Sequence, residues 1–504
     1  MLAWWLLGGV LLYYSQAVST DGLYATQADL DKAAAGMGSN AAFIAMAGPA
    51  RALDTVGGQV AWQAAAFGAV IAGLMSMFLI GRHTRAEEES GRDELVRAAV
   101  VGRHAPLAAA ALVMLIANAV LGSLITGSLV SYGLPFRGSL ALGLAAGLAG
   151  LVFGAVMLAA AQLAASVRVA YGITGATIAL AYVLRAIGDV GDGTLSWLSP
   201  IGWGQYMRAY ADETWWPALL SVGAAAAVTA AAVVLFERRD IGSGVLPARP
   251  GPAHGALGST LALAWRLQRG SVIGWTTGSF VMGAAYGSIG SDVGDLIGDS
   301  QFSQEVFTHG GGSLVDSFYA TLVALLALTT CGFAVSSVLR LRGEEQQHFA
   351  ELLLSTRLSR RRWATSHLLV TTGGAVAVLL GAGAGIGISF ALVTHDPAAA
   401  GRLLGATMQY AAPVAVVSAA TWLAYGMRSR WGVAGWAAVG FCAIVMLFGE
   451  VLRLPGWLLG MSPFQHLALL PAEPVRVLPL VVLLGLSVLT GIAGMRALTH
   501  RDVG

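Results

Sequence analysis

The sequence predicts an all-α integral membrane protein with about 12 transmembrane helices, built as two tandem six-helix repeats. Three observations predict it. Only 11% of the 504 residues are charged and 56% are apolar, with a mean hydropathy of +0.71, whereas soluble domains carry about 25% charged residues. Apolar runs of about 20 residues, the length that crosses a hydrocarbon core, fill most of the chain. One charged segment also occurs twice, at a constant offset of 257 positions. Arg85-Ala86-Glu87-Glu88 leads to Glu94-Leu95 and Arg103, and Arg342-Gly343-Glu344-Glu345 leads to Glu351-Leu352 and Arg360. A fixed offset of this kind marks a duplicated unit.

The first repeat spans residues 1–243. Its first span, Leu2 to Val18, lacks the charged n-region and cleavage site of a signal peptide. A polar loop to Gly57 precedes the second span, Val60 to Ile80, which delivers the first charged loop. Spans three and four, Pro106 to Val130 and Ser139 to Val167, are joined by a turn at Pro135-Phe136-Arg137. A fifth span runs from Arg168 to Ile187. The turn-rich stretch after it holds Trp197, Ser199-Pro200, Trp203, Trp215 and Trp216. The sixth span ends at Glu237-Arg238-Arg239-Asp240-Ile241-Gly242.

Residues 244–258 form a linker whose prolines and glycines hold neither helix nor strand. In the second repeat, 259–504, Leu261 to Arg269 reads as a short helix in the membrane interface. Six spans follow, near 271–290, 317–339, 364–393, 403–427, 432–451 and 477–495. Ser462-Pro463 echoes Ser199-Pro200, and Arg501-Asp502-Val503-Gly504 echoes Arg239-Asp240-Ile241-Gly242 at an offset of 262. The first repeat has no counterpart of the interfacial helix, so either the true start is expected upstream or this half manages without that element.

Placing both charged loops on one side gathers most of the 29 basic residues there. By the positive-inside rule that side is cytoplasmic, as are both termini. The acidic loop from Ser291 to Asp316 is then external. A net charge of +2 gives no reason to expect nucleic acid. Cys331 and Cys442 fall inside spans and read as small core residues. No His/Cys cluster has metal-ligand spacing and no Gly-x-Ser-x-Gly elbow appears, so neither metal nor catalytic residues are expected. The tryptophans near Trp197, Trp216 and Trp457 read as an outer interfacial belt.

Within the first loop, Glu87 and Glu94 are seven apart, as are Arg85 and Arg92, which fits one short helix with each pair on one face. Charge runs are usually plain solvated flanks of membrane helices. A register kept across 257 positions points instead to a surface docked on two copies of one partner. The pattern Glu-Glu, Glu-Leu, then Arg before the third span resembles the coupling-helix region of bacterial ABC export permeases of the second class. The fused two-unit form resembles the actinobacterial multidrug and tetronasin-transport type. The resemblance implies that Glu87, Glu88, Glu94, Glu344, Glu345 and Glu351 meet nucleotide-binding subunits, with Arg85, Arg103, Arg342 and Arg360 flanking the contact. Family members often carry glycine after the acidic pair; Gly91 fits and His348 departs.

The chain itself is expected to bind no cofactor. Its only lysine, Lys32, stands in Leu30-Asp31-Lys32-Ala33 and not in a Walker motif, so ATP and Mg²⁺ would sit on the partner. The transport path is expected between the repeats, with Met75, Phe78, Tyr182, Phe333, Phe441 and Met446 as apolar contacts for a hydrophobic or amphipathic small molecule taken from membrane lipid. Core packing is the alternative role for each. Arg185 and Glu450, at similar depth before the repeated Ser-Pro, are candidates for an outer gate, against local pairing of Arg185 with Asp189 and of Glu450 with Arg453. Two other function classes remain open. One is an ion-coupled secondary transporter; the other is a membrane resistance or scaffold protein that transports nothing.

Overall fold

The computed structural model describes residues 2–23, 26–28, 30–31, 34, 41–98, 101–240, 242–246, 258–288, 314–448 and 454–501. Lys32, Glu450, residues 247–257 of the linker and residues 291–313 of the acidic loop lie outside them. The chain divides into two compact units, Met1–Gly251 and Pro252–Gly504, and among the described residues all regular structure is helical.

In the first unit the elements are α1 (Leu2–Leu23), α2 (Ala41–Ala47), α3 (Val56–His83), α4 (Arg85–Glu89), α5 (Arg92–Arg97), α6 (Ala105–Tyr132), α7 (Phe136–Leu163), α8 (Val167–Val190), α9 (Pro200–Tyr206) and α10 (Pro217–Glu237). The second has α11 (Thr260–Gly287), α12 (Leu314–Gln346), α13 (Phe349–Leu354), α14 (Arg360–Thr394), α15 (Pro397–Met408), α16 (Ala411–Met427), α17 (Ala434–Phe448), α18 (Gly456–Leu459) and α19 (Val477–His500).

Among the described residues, ten helical segments are long and apolar enough to cross a membrane. Helices α1 and α11 have the length, 22 and 28 residues. They dilute their apolar content, α1 with Tyr13, Tyr14 and Gln16 and α11 with Arg266 and Arg269. With them, each unit holds six long helical segments among the described residues. Leu261 to Arg269 is not a separate helix but the start of continuous α11, because no helix breaker stands before Gly270. At 1.5 Å per residue α11 extends roughly 42 Å, beyond a hydrocarbon core of about 30 Å.

The fourth span is the hub of each unit. Helix α7 packs against α3, α6, α8 and α10, and α15–α16 against α12, α14 and α19. Small residues set these distances: a Cβ on Gly147 of α7 would lie 2.8 Å from the Asn118 carbonyl of α6. The first core holds Met77, Ile80, Met114, Phe153 and Met157. The last span of each unit instead exposes Leu219 and Val222, or Val481, Val482, Val488 and Leu489. Apolar side chains on that outer face suit a lipid solvent.

Candidate functional site

The acidic turn of the first unit begins where α3 ends. Thr84 breaks the helix, its hydroxyl donating to the Ile80 carbonyl at 2.7 Å. The charged stretch is therefore not one helix. It is α4 and α5, separated at Ser90-Gly91, with Gly91 at φ +74. Arg92 folds back across that break to Glu87 at 3.8 Å.

Beneath the turn, Arg85 is 1% exposed. It pairs with Glu88 and donates to the Ser243 carbonyl at 3.0 Å. The other oxygen of Glu88 meets Arg239 at 2.5 Å. Arg239 also donates to Gln162 Oε1 at 2.7 Å and to the Ser243 carbonyl at 3.0 Å. Arg103, expected to flank this region, donates to the Glu237 carbonyl at 3.4 Å and lies over the Phe236 ring. Glu237 closes α10 and Arg239 follows it. A helix C-terminus has unpaired carbonyls and a negative partial charge, so it attracts both arginines.

The second unit repeats the arrangement. Helix α12 carries Glu344 and Glu345, His348 turns the chain at φ +58, and α13 follows. Glu345 accepts from Arg501 at 2.5 Å and from the Tyr425 hydroxyl at 2.6 Å. Arg360 donates to the Arg501 carbonyl at 2.6 Å, just past the end of α19. In both units, then, the second glutamate of the doublet binds the arginine of the Arg-Asp-Ile/Val-Gly tail. The arginine before the third span caps the same helix end. The departure at His348 is confined to the side chain, because Gly91 and His348, 257 apart, share the left-handed backbone.

This geometry separates the ten residues expected at a partner surface. Glu94, Glu351 and Arg103 are exposed, and Glu87, Arg342 and Arg360 are half-buried. Arg85, Glu88, Glu344 and Glu345 turn inward and hold the turns in place. Two exposed side chains were not among those ten: Phe349 and Leu352, 54% and 68% exposed on α13. Their signal was an apolar pair one helical turn apart inside a charged loop.

Glu344 opens a polar network inside the second unit. It accepts from Trp363 Nε1 at 3.3 Å and faces His367 at 3.5 Å and Arg340 at 3.8 Å. His367 Nδ1 lies 3.2 Å from Gln268, which is bonded to Ser337, itself 2.6 Å from Thr371. At the same offset the first unit has Ala110, Ile80 and Met114 in place of His367, Ser337 and Thr371.

Of the path candidates, Met75 and Phe333 lie inside their own units, 1% and 0% exposed. Phe78 stacks on Trp5 and meets the Tyr171 ring edge-on. Tyr182 donates to the Met46 carbonyl at 2.8 Å and lies against Phe67. Phe441 and Met446 are half-buried. Arg185 is fully buried, 3.4 Å from Asp189 and 3.0 Å from the Met46 carbonyl, with its guanidinium over Tyr182. Its local pair is thus formed, while Glu450 lies outside the described residues. Ser199 caps α9, its hydroxyl donating to the Ala181 carbonyl at 2.7 Å, so the Ser-Pro ties the short α9 back onto α8.

Residues 257–498 match the family model described as multidrug efflux system permease Rv1217c, C-terminal domain. The multidrug efflux system permease protein Rv1217c of Mycobacterium tuberculosis (strain ATCC 25618 / H37Rv) is 36% identical over 508 residues, covering 99% of this chain and 92% of that protein. With the length of two six-helix units matched from end to end, the chain belongs to the multidrug efflux permease family.

Proposed function

We propose that this permease is the membrane half of an ATP-driven exporter of the ABC type. ATP and Mg²⁺ are bound by a separate nucleotide-binding subunit, two copies of which dock on the acidic turns from the cytoplasm of a bacterial cell. The cargo is a hydrophobic or amphipathic small molecule, in keeping with the relative's name as a multidrug permease. The observation that supports this most is the matched pair Glu88–Arg239 and Glu345–Arg501. Each ties a solvent-facing turn rigidly to a last-span helix, which is what a lever needs if force applied at the turn is to move transmembrane helices. Glu87, Glu94, Phe349, Glu351 and Leu352 supply a mixed acidic and apolar contact face.

Co-purification with a P-loop protein, and vanadate-sensitive ATP turnover by the reconstituted pair, test this reading. Drug efflux from proteoliposomes that continues with no ATPase subunit present would sink it. The buried Glu344–His367 pair favours the second reading, an ion-coupled transporter, since ionisable groups within spans often serve ion pathways. Efflux driven by a proton gradient alone would establish that one.

A further inference from the structure

The end of the first unit remote from the acidic turns carries a cleft that the exporter reading does not use. It lies where α3 begins, between the loop after α2 and helix α9. Arg51, Arg208, Gln205 and Trp62 line it together with Ala65 and Leu142. Its lining contains no carboxylate. Asp189, whose field reaches Arg51, is already engaged by Arg185 and by the Ser196 hydroxyl at 2.5 Å. Burial and the neighbouring charge of Arg208 both pull the Arg51 guanidinium below its usual range, so two like charges share one cleft. Among the described residues, the Arg208 guanidinium has no hydrogen-bond acceptor and Gln205 Oε1 has no donor.

The cleft is held open by its own bonds. Trp62 Nε1 donates to the Gly48 carbonyl at 2.7 Å and Gln205 Nε2 to the Ala47 carbonyl at 2.7 Å. Arg51 donates to the Gln205 carbonyl at 2.9 Å. Ala52, Arg208 and Tyr210 all have left-handed backbone, at φ +48, +51 and +63, a conformation that costs non-glycine residues free energy and clusters at ligand clamps. The Arg51 guanidinium lies 5.3 Å over the Tyr206 ring, which stacks on Trp197 at 4.2 Å, and Trp197 stacks on half-exposed Trp216 at 5.2 Å. Tryptophans of this kind sit at the headgroup level of a bilayer.

We infer that this cleft binds the phosphate of an anionic lipid, Arg51 and Arg208 holding the oxyanion while Trp62, Ala65 and Leu142 meet the start of its apolar body. Guanidinium forks match phosphate geometry. The aromatic ladder places the cleft at the depth where such headgroups lie. The lipid's charge removes the repulsion between the two arginines.

Native mass spectrometry of the delipidated full chain in detergent, titrated with phosphatidylglycerol, tests this. Wild type should retain one lipid that phosphatidylcholine does not replace. Arg208→Gln should weaken retention about tenfold, with unchanged elution and thermal midpoint, because that side chain is exposed and unbonded. Arg137→Gln, an exposed arginine at the same end of α7, should bind as wild type. Equal retention in Arg208→Gln and wild type overturns the proposal. So does displacement of the lipid by millimolar inorganic phosphate, which would assign the cleft to a free anion.

Discussion

Glu345 and Arg501 meet at 2.5 Å across 156 positions of sequence, and Glu88 and Arg239 meet at the same distance across 151. Two landmarks duplicated separately along the chain are thus two halves of one contact, made once in each unit. The contact joins the end of span two to the end of the last span.

Removing an arginine from either pair strands a glutamate with little water around it. Arg239→Ala and Arg501→Ala should each lower stability by about 1.5–3 kcal/mol, read from thermal midpoints of the purified protein. A double-mutant cycle on Glu345→Gln and Arg501→Ala should return coupling of similar size, about 1.5–3 kcal/mol. A coupling energy near zero would show that the pair is incidental.

The left-handed turn predicts opposite outcomes at its two copies. His348 holds φ +58 with a Cβ in place, at a cost of roughly 1–2 kcal/mol. His348→Gly should therefore raise the thermal midpoint, less any small loss of its 2.9 Å contact with Glu351. Gly91→Ala should lower the midpoint by a comparable amount. If both substitutions shift it in the same direction, the turns are not equivalent.

Docking at the acidic turns predicts a loss of partner binding without loss of fold. Phe349→Asp and Leu352→Asp remove exposed apolar surface, so stability should change by no more than about 0.5 kcal/mol. Pull-down of the ATPase subunit should fail with either variant. Normal pull-down and normal efflux in both would place the docking face elsewhere.

The buried Glu344 separates the two transport readings. Glu344→Gln keeps an acceptor for Trp363 and removes the charge, whereas Glu344→Ala leaves a buried indole N–H unpaired at a cost of about 1–3 kcal/mol. For an ATP-driven permease, the Gln variant should pump at near wild-type rate while the Ala variant is mainly less stable. For an ion-coupled carrier, the Gln variant should already be dead.

Much of this was legible in the sequence. Apolar run lengths gave the helices, and the constant offset located both acidic turns. The clamps were not legible, because pairing Glu88 with Arg239 requires knowing that the second and the last span both pack against the fourth. Nor was the break at Thr84, where a hydroxyl bonding its own helix and a left-handed Gly91 outweigh a helix-like spacing of charges. Met75 and Phe333 show a further limit: helical spacing does not distinguish a side chain in the core from one on an open wall. The Arg185–Asp189 pair was the plainer of two readings because an i,i+4 partner is available without any tertiary structure.

The interior seam from Glu344 through His367 to Thr371 belongs to one unit alone. A chain assembled from two copies of residues 1–251 would repeat Ala110 and Met114 at these positions and would lose the seam. At this seam, neither unit can take the place of the other.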